Sequence, residues 1–149
     1  MRKVLIPIIL VLLTLGIFFT LVFLKVPLGE PKLRIEFYPA PPWQVSPGDS
    51  LEVSIGVAND AWLLAWAKDV RVNVLVPEGF TITQTGITQT DTNRCELYFF
   101  TLHGGDGLGN GFTIRASNNI SPGNYTITIN VSGKNVPEKT LTPELTVNA

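Results

Sequence analysis

The sequence predicts an all-β protein: an antiparallel β-sandwich of about seven to eight strands, preceded by one N-terminal transmembrane helix. An uncharged apolar run covers residues 4–24, directly after Arg2 and Lys3. Almost every readable segment after this run alternates apolar and polar side chains with a period of two, which is typical of half-buried strands. Turn residues separate these segments and none shows sustained helical periodicity, so a sandwich is favoured.

The apolar run is long enough to cross a bilayer. Its 21 residues span roughly 31 Å as a helix, close to the thickness of the hydrocarbon core. Because a basic cluster stays on the cytoplasmic side, we expect the rest of the chain outside the cell. A cleaved signal peptide is the alternative, but its apolar region is usually shorter and ends at a pair of small residues, which residues 22–27 lack. We therefore expect an uncleaved signal-anchor over residues 1–25.

The remainder divides into a short linker, residues 26–32, and one sandwich domain, residues 33–149. Three of the 11 basic residues, Arg2, Lys3 and Lys25, belong to the anchor, which leaves eight basic against 12 acidic side chains outside it. A domain with this acidic excess has no electrostatic footprint for nucleic acid, so nucleic-acid binding is not expected.

Alternation predicts strands over residues 33–38, 51–58, 70–76, 112–116 and 125–131. Residues 95–102 are apolar at successive positions, which favours a central strand or one covered on both faces. Residues 140–147 contain Pro143, which cannot donate to a ladder, so this strand belongs at an edge or a bulge. Residues 81–90 hold two copies of Ile-Thr-Gln-Thr and predict a Thr-rich edge strand or a bulged pair.

Three segments carry a resemblance to a known family. Pro-Gly-Asp-Ser at residues 47–50, Val-Leu-Val-Pro-Glu-Gly-Phe at 74–80 and Pro-Gly-Asn-Tyr-Thr at 122–126 resemble the Ig-like domains of prokaryotic surface proteins known as CARDB, and the related module that accompanies secreted glycosidases. Tyr125, at a strand entry, is similar to the tyrosine corner of Ig-like sandwiches, whose hydroxyl binds an upstream backbone group. The resemblance implies no fixed catalytic residues and a role in adhesion, spacing or ligand presentation outside the cell.

One loop departs from that family pattern. Where a short polar loop is usual, residues 59–67 read Asn-Asp-Ala-Trp-Leu-Leu-Ala-Trp-Ala. The candidate partner-binding residues here are Trp62, Leu63, Leu64 and Trp66. The same composition also suits a segment that covers the open end of the core, and the sequence leaves both interpretations open.

Residues suited to catalysis or metal binding are few. His103, beside a Gly-rich stretch, is more typical of a solvated turn residue than of a catalytic base. Residues 104–112 follow the calcium-binding nonapeptide only in part and favour a flexible loop. Cys95 is the single cysteine and is expected as a small buried side chain, with pairing to another chain as the alternative. We expect no catalytic residues, no metal site and no cofactor.

Three glycosylation acceptor sequences occur close together, at Asn119, Asn124 and Asn130. The alternation of residues 124–131 places Asn124 and Asn130 on the polar face of their strand. We expect exposed acceptor sites there if the host has the machinery.

Taken together, these features predict a membrane-anchored extracellular module for adhesion, assembly or scaffolding. Its expected partners are the membrane, through residues 4–24, and a cell-surface protein or glycan. Two alternatives stay open: an accessory module that binds glycan or substrate for a separate secreted enzyme, and a subunit or anchor of a surface filament or S-layer. Aromatic side chains on a flat strand face would favour glycan, whereas aromatic side chains in one loop would favour a protein or membrane contact.

Overall fold

The computed structural model describes residues 2–23, 29–62, 64–85 and 93–148. Helix α1 covers Arg2–Phe23 and contains Pro7. Among the residues described, no helix is both long enough and apolar enough to cross a membrane. The linker predicted at residues 26–32 falls largely outside the described residues, which resume at Gly29.

The described ranges contain eleven strands. They are β1 Leu33–Tyr38, β2 Trp43–Val45, β3 Ser50–Asn59, β4 Arg71–Leu75, β5 Phe80–Gln84, β6 Arg94–Tyr98, β7 Gly107–Ala116, β8 Gly123–Thr126, β9 Thr128–Gly133, β10 Val136–Leu141 and β11 Glu144–Val147.

Two four-stranded sheets form the sandwich. One has the order β1-β3-β7-β5 and the other β10-β9-β4-β6, while β2, β11 and β8 form a smaller third sheet. Every pairing is antiparallel except that of β2 with β11. The prediction of an antiparallel β-sandwich is confirmed.

The strand count exceeds the predicted seven to eight because β2 was not predicted and because two predicted strands each divide between two sheets. Residues 125–131 divide at Ile127 into β8 and β9, and residues 140–147 divide at Thr142 and Pro143 into β10 and β11. Pro143 cannot donate to a ladder, but its carbonyl accepts from the Ile127 N–H at 3.0 Å. One hydrogen bond thus joins the two crossover points. Pro143 lies between two strands and not within an edge strand or a bulge, but its inability to donate to a ladder is the reason in both cases.

The core lies between the two large sheets, and the alternation fixes which side chains enter it. Most apolar positions of the predicted register are buried, including Val53, Ile55, Val72, Val74, Ile127 and Ile129. The apolar positions that are only partly buried pack against this core, and they are Leu33, Ile35, Phe37, Leu51, Tyr125 and Leu141. Trp43 is part of this core, where its ring packs edge-on against Phe37 and Phe112 and its Nε1–H donates to the Pro39 carbonyl at 2.8 Å. Cys95 is buried, as expected.

Two sequence expectations are wrong. Residues 95–102 do not form a central strand, since β6 lies at the edge of its sheet and turns Tyr98 outward. The Gly-rich stretch is not simply a loop, because Gly107–Gly111 forms the first half of β7 and pairs with β3. In both cases pairing with a neighbouring strand overrides the local composition.

The Thr-rich segment is described in part. β5 lies at the edge of its sheet, as predicted, and Thr85 still donates to the Gly111 carbonyl at 2.9 Å. The second Ile-Thr-Gln-Thr copy, from Ile87, lies outside the described residues.

Candidate contact surface

Four segments meet at the end of the sandwich where the chain enters the domain, which we call the proximal end. They are residues 29–32, 60–70 (without residue 63), 99–106 and 133–135. Strand register places them together, because β1 begins opposite the end of β3 and β7 begins opposite Ala58. An isolated bridge between Ala67 and Leu102 joins the second segment to the third.

Asn59 holds the proximal end together. Among the described residues, Asn59 is the polar residue whose side chain is fully buried, and both its amide nitrogen and its amide oxygen are hydrogen-bonded. Its Nδ2 donates to the carbonyls of Ala65 and Leu102 at 2.6 and 3.1 Å, and its Oδ1 accepts from the backbone N–H of Lys32 and Ala61 at 3.0 and 3.3 Å. Because a buried amide is costly unless it is paired, these four bonds fix three of the proximal segments relative to one another.

Asn135 makes a second bridge of this kind. Its Oδ1 accepts from the Lys68 N–H at 2.9 Å and its Nδ2 donates to the Trp66 carbonyl at 2.6 Å. Asn135 thereby joins the turn after β9 to the loop of residues 59–67, which we call the aromatic loop.

The aromatic loop is divided between core and surface. Leu64 and Trp66 are 2% and 7% exposed, whereas Trp62 is 64% exposed. Leu63 lies outside the described residues. The structure therefore does not present the four predicted contact residues as one surface. Leu64 and Trp66 cover the core, and Trp62 projects from the loop.

His103 packs between this loop and a turn. Its Nδ1 lies 2.9 Å from Asp106 Oδ2, which also accepts the His103 backbone N–H at 2.9 Å, and its ring meets Trp66 edge-on at a centroid distance of 4.8 Å. These bonds, the backbone one first, hold the pKa of the Asp106 carboxyl below its usual range. His103 and Asp106 thus close a turn, and the described residues contain no group of three metal-ligating side chains.

A second aromatic surface, which the sequence reasoning missed, lies at the end of β6. Tyr98 and Phe100 are exposed and their ring centroids are 4.5 Å apart, while the Arg71 guanidinium lies 5.3 Å from the Tyr98 ring centroid. We call Arg71, Tyr98 and Phe100 the β6 platform. The signal was present in the sequence: if Cys95, Leu97 and Phe99 face the core, the intervening side chains must face out.

The β6 platform is held by an exposed polar network. The Tyr98 hydroxyl donates to Asp69 Oδ1 at 2.8 Å, and Lys134 Nζ lies 2.5 Å from Asp69 Oδ2. The bond from Lys134, followed by that from Tyr98, holds the pKa of the Asp69 carboxyl below its usual range. The same bond to Asp69 raises the pKa of the Tyr98 hydroxyl. Tyr98 is therefore a neutral donor with a fixed ring.

Backbone conformation is unusual at this platform. Phe100 has a φ of 55° and Asp69, on the neighbouring segment, a φ of 51°. Between them Val70 exchanges hydrogen bonds of 2.9 Å with Phe99 and Phe100. A left-handed conformation costs a residue with a Cβ about 1–2 kcal/mol, so the surroundings hold Phe100 outward against a local preference.

The predicted acceptor asparagines lie away from the proximal end. Asn119 and Asn124 are exposed and Asn130 is half-buried. The side-chain oxygens of Asn124 and Asn130 accept from Thr146 and Thr140 at 3.0 and 2.9 Å. In the same region the Tyr125 hydroxyl donates to the Ser121 carbonyl at 2.7 Å, so the predicted tie to an upstream backbone group is present.

With its sheets, its sheet-switching strands and this tyrosine, the domain is an Ig-like β-sandwich. No protein-family model matches the sequence, and no curated protein matches it. Solved structures do match. The CARDB domain of a Pyrococcus furiosus protein, solved with two metal ions, shares 16% identity at a TM-score of 0.51, and the match covers 83% of this chain and 93% of that one.

Two further structures show the range of proteins with this fold. A conjugative transposon lipoprotein from Bacteroides eggerthii has 14% identity and a TM-score of 0.51, covering 76% of this chain and 95% of that one. AvmM, which catalyses macrocyclization in alchivemycin A biosynthesis, has 9% identity and a TM-score of 0.57, covering 80% and 89%. The CARDB resemblance is thus confirmed at the level of fold. Because AvmM is an enzyme, the fold alone does not decide whether this chain has an activity.

Proposed function

We propose that this chain is a membrane-tethered extracellular module that presents a contact surface to a partner protein at the cell surface, without catalysing a reaction. The observation that carries the proposal is the β6 platform. Phe100 is 65% exposed although its backbone is strained, and Tyr98 beside it is fixed by Arg71 and Asp69. Strained, exposed and well-supported aromatic residues are characteristic of binding sites, and Tyr and Arg are enriched at interface centres.

The tether rests on the sequence. The uncharged run of residues 4–24 has the length of a bilayer crossing, and Arg2 and Lys3 precede it on what becomes the cytoplasmic side. Residues 26–32 then join this segment to the sandwich. In this arrangement Asn119 and Asn124 face the extracellular medium and are our proposed glycosylation sites.

The absence of catalysis is proposed from the roles of the titratable groups. His103 is bound by Asp106 and packs against Trp66, so the side chain best suited to acid–base chemistry serves a turn. Asp69 is engaged by Tyr98 and Lys134 in the same way.

Glycan binding is the second candidate, and the β6 platform favours it as well. Tyr98 and Phe100 lie at the outer face of a strand end, with the charged side chains of Arg71 and Glu96 joined beside them at 3.0 Å. Sugars commonly stack on such rings while neighbouring charged groups bind their hydroxyls. This would make the chain an accessory to a secreted enzyme.

Two measurements test the proposal. Protease added to intact cells should remove the domain and leave the anchor, and a mature chain that begins after residue 25 would contradict the tether. A photo-crosslinking amino acid at position 100 should give a discrete protein adduct on cells, whereas one at the exposed, distant position 126 should not. Adducts of equal yield at positions 100 and 126 would contradict the proposal that the β6 platform is a contact surface. Loss of the position-100 adduct on glycosidase treatment of the cells would favour the glycan alternative.

A further inference from the structure

We propose that the loop carrying Trp62 rests on the membrane surface and that the Trp62 indole inserts into the headgroup region of the outer leaflet. This inference rests on the proposed tether. Phe100 of the β6 platform also belongs to the proximal end, in segment 99–106, but the contact proposed here is that of the Trp62 loop alone, and its occupant is the neutral lipid surface itself.

Trp62 is close to the point where the chain enters the domain. The Asp60 N–H donates to the Lys32 carbonyl at 2.9 Å, and the Arg34 Nε lies 2.7 Å from Asp60 Oδ2. Trp62 follows Asp60 by two residues, so its backbone is at most about 7 Å from that of Asp60. If the linker keeps Lys32 near the bilayer, Trp62 must therefore lie near it as well.

The linker is short enough to keep Lys32 there. Eight Cα–Cα steps separate Leu24, the last apolar residue of the run, from Lys32. These steps reach at most about 29 Å when fully extended. The headgroup layer itself takes up about 5–8 Å of this distance. Lys32 thus lies at most roughly 24 Å above the membrane surface, which keeps the proximal end close to it.

The chemistry of Trp62 suits that layer. Its side chain is 64% exposed, and the Ala65 N–H donates to the Trp62 carbonyl at 2.8 Å, which holds the backbone at Trp62. Tryptophan concentrates at membrane–water interfaces because its ring is apolar at one end and donates a hydrogen bond at the other.

Charge at the proximal end points to neutral lipid and not to an anionic surface. The described proximal segments carry three lysines and four carboxylates: Lys32, Lys68, Lys134, Glu30, Asp60, Asp69 and Asp106. Without a basic surplus, attraction to anionic headgroups supplies no net binding. The contact should therefore depend on the aromatic side chain and respond little to salt.

The three tryptophans allow a direct test. Trp43 and Trp66 are 2% and 7% exposed, so Trp62 is the exposed indole of the three. The full-length chain is reconstituted into phosphatidylcholine vesicles that carry bromine on the upper acyl carbons, and tryptophan fluorescence is compared with that in unbrominated vesicles. We expect bromine-dependent quenching that is mostly lost in W62F and retained in W43F. Circular dichroism of each variant checks that the fold is intact.

A longer linker supplies the matched control. In this control, a flexible segment of 30 glycine and serine residues is inserted after Pro31, which leaves Trp62 unchanged but lowers its effective concentration at the bilayer. Quenching of tryptophan fluorescence by bromine should therefore fall, while the protein should stay associated with the vesicles. Flotation of the vesicles separates the two proposals. Protein that floats but shows equal quenching in W62F and the unsubstituted chain overturns the Trp62 contact and leaves the tether standing. Protein that does not float overturns the tether and, with it, this inference.

Discussion

Gly104 illustrates how a single residue positions the proximal loops. A methyl group at this position would overlap the carbonyl group of Trp62, and the carbonyl oxygen of Ala61 lies close behind it. Glycine is needed here for close approach between two backbones, since Gly104 does not have a positive φ. The position of Trp62 on the surface therefore depends on a residue in a different loop.

We predict that Gly104→Ala destabilises the domain by about 2–3 kcal/mol, because two backbone segments must separate to admit the methyl group. Gly56→Ala is the matched control. A Cβ at Gly56, within β3, meets no heavy atom within 4 Å, so that change should be neutral or slightly stabilising. Urea unfolding of both variants measures the difference. Equal free energies of unfolding would show that the two loops are not in contact at Gly104.

Phe100 offers a test of strain at a contact surface. Phe100→Gly removes the ring and also the Cβ, so the φ of 55° is no longer unfavourable, whereas Phe100→Ala removes the ring and keeps the strain. We predict that the glycine variant is more stable than the alanine variant by about 1 kcal/mol, the reverse of the usual order in a strand. Both should lose the partner contact. If alanine is the more stable variant in thermal unfolding, Phe100 is not strained.

At the scale of the element, the continuous segment of β8 and β9 shows how alternation fixes the two faces of an extended chain. Ile127 and Ile129 are fully buried between the sheets, while Thr126 is exposed. A shift in register by one residue would exchange these environments.

We predict that Ile129→Ala lowers the free energy of unfolding by about 2–4 kcal/mol, because it removes buried methyl groups and leaves a cavity. Thr126→Ala, three residues earlier, should change it by less than about 0.5 kcal/mol. Chemical denaturation of both variants checks the register. Similar losses from the two substitutions would contradict it.

The elements also show which features the sequence could predict. Period-two alternation identified the buried face of each clear strand, because that pattern is a direct consequence of β geometry. It failed for residues 95–102, where Tyr98 and Phe100 are apolar but exposed, since strand order in a sheet is not encoded in a local pattern. It failed for Gly107–Gly111 because pairing with β3 stabilises a composition that favours loops elsewhere.

The candidate surface was predictable only in part, for a related reason. Composition identified the loop of Trp62 and Trp66 as unusual, but burial of Trp66 depends on Asn135 and His103, which arrive from other segments. Long-range contacts of this kind decide which of two similar side chains covers the core and which remains on the surface.

For the whole molecule, the single thiol provides a measure of cooperativity. Cys95 lies on β6, an edge strand, yet its side chain is buried in the hydrophobic core and this burial raises the pKa of the thiol. Both effects suppress reaction in the folded state, because only an exposed thiolate is nucleophilic. We predict that a maleimide labels Cys95 slowly in the native protein, and that labelling rises over the same urea range as the loss of near-ultraviolet circular dichroism. If labelling occurs at urea concentrations that leave the dichroism unchanged, β6 detaches from its sheet before the rest of the domain unfolds. In that case the β6 platform would not be a fixed contact surface.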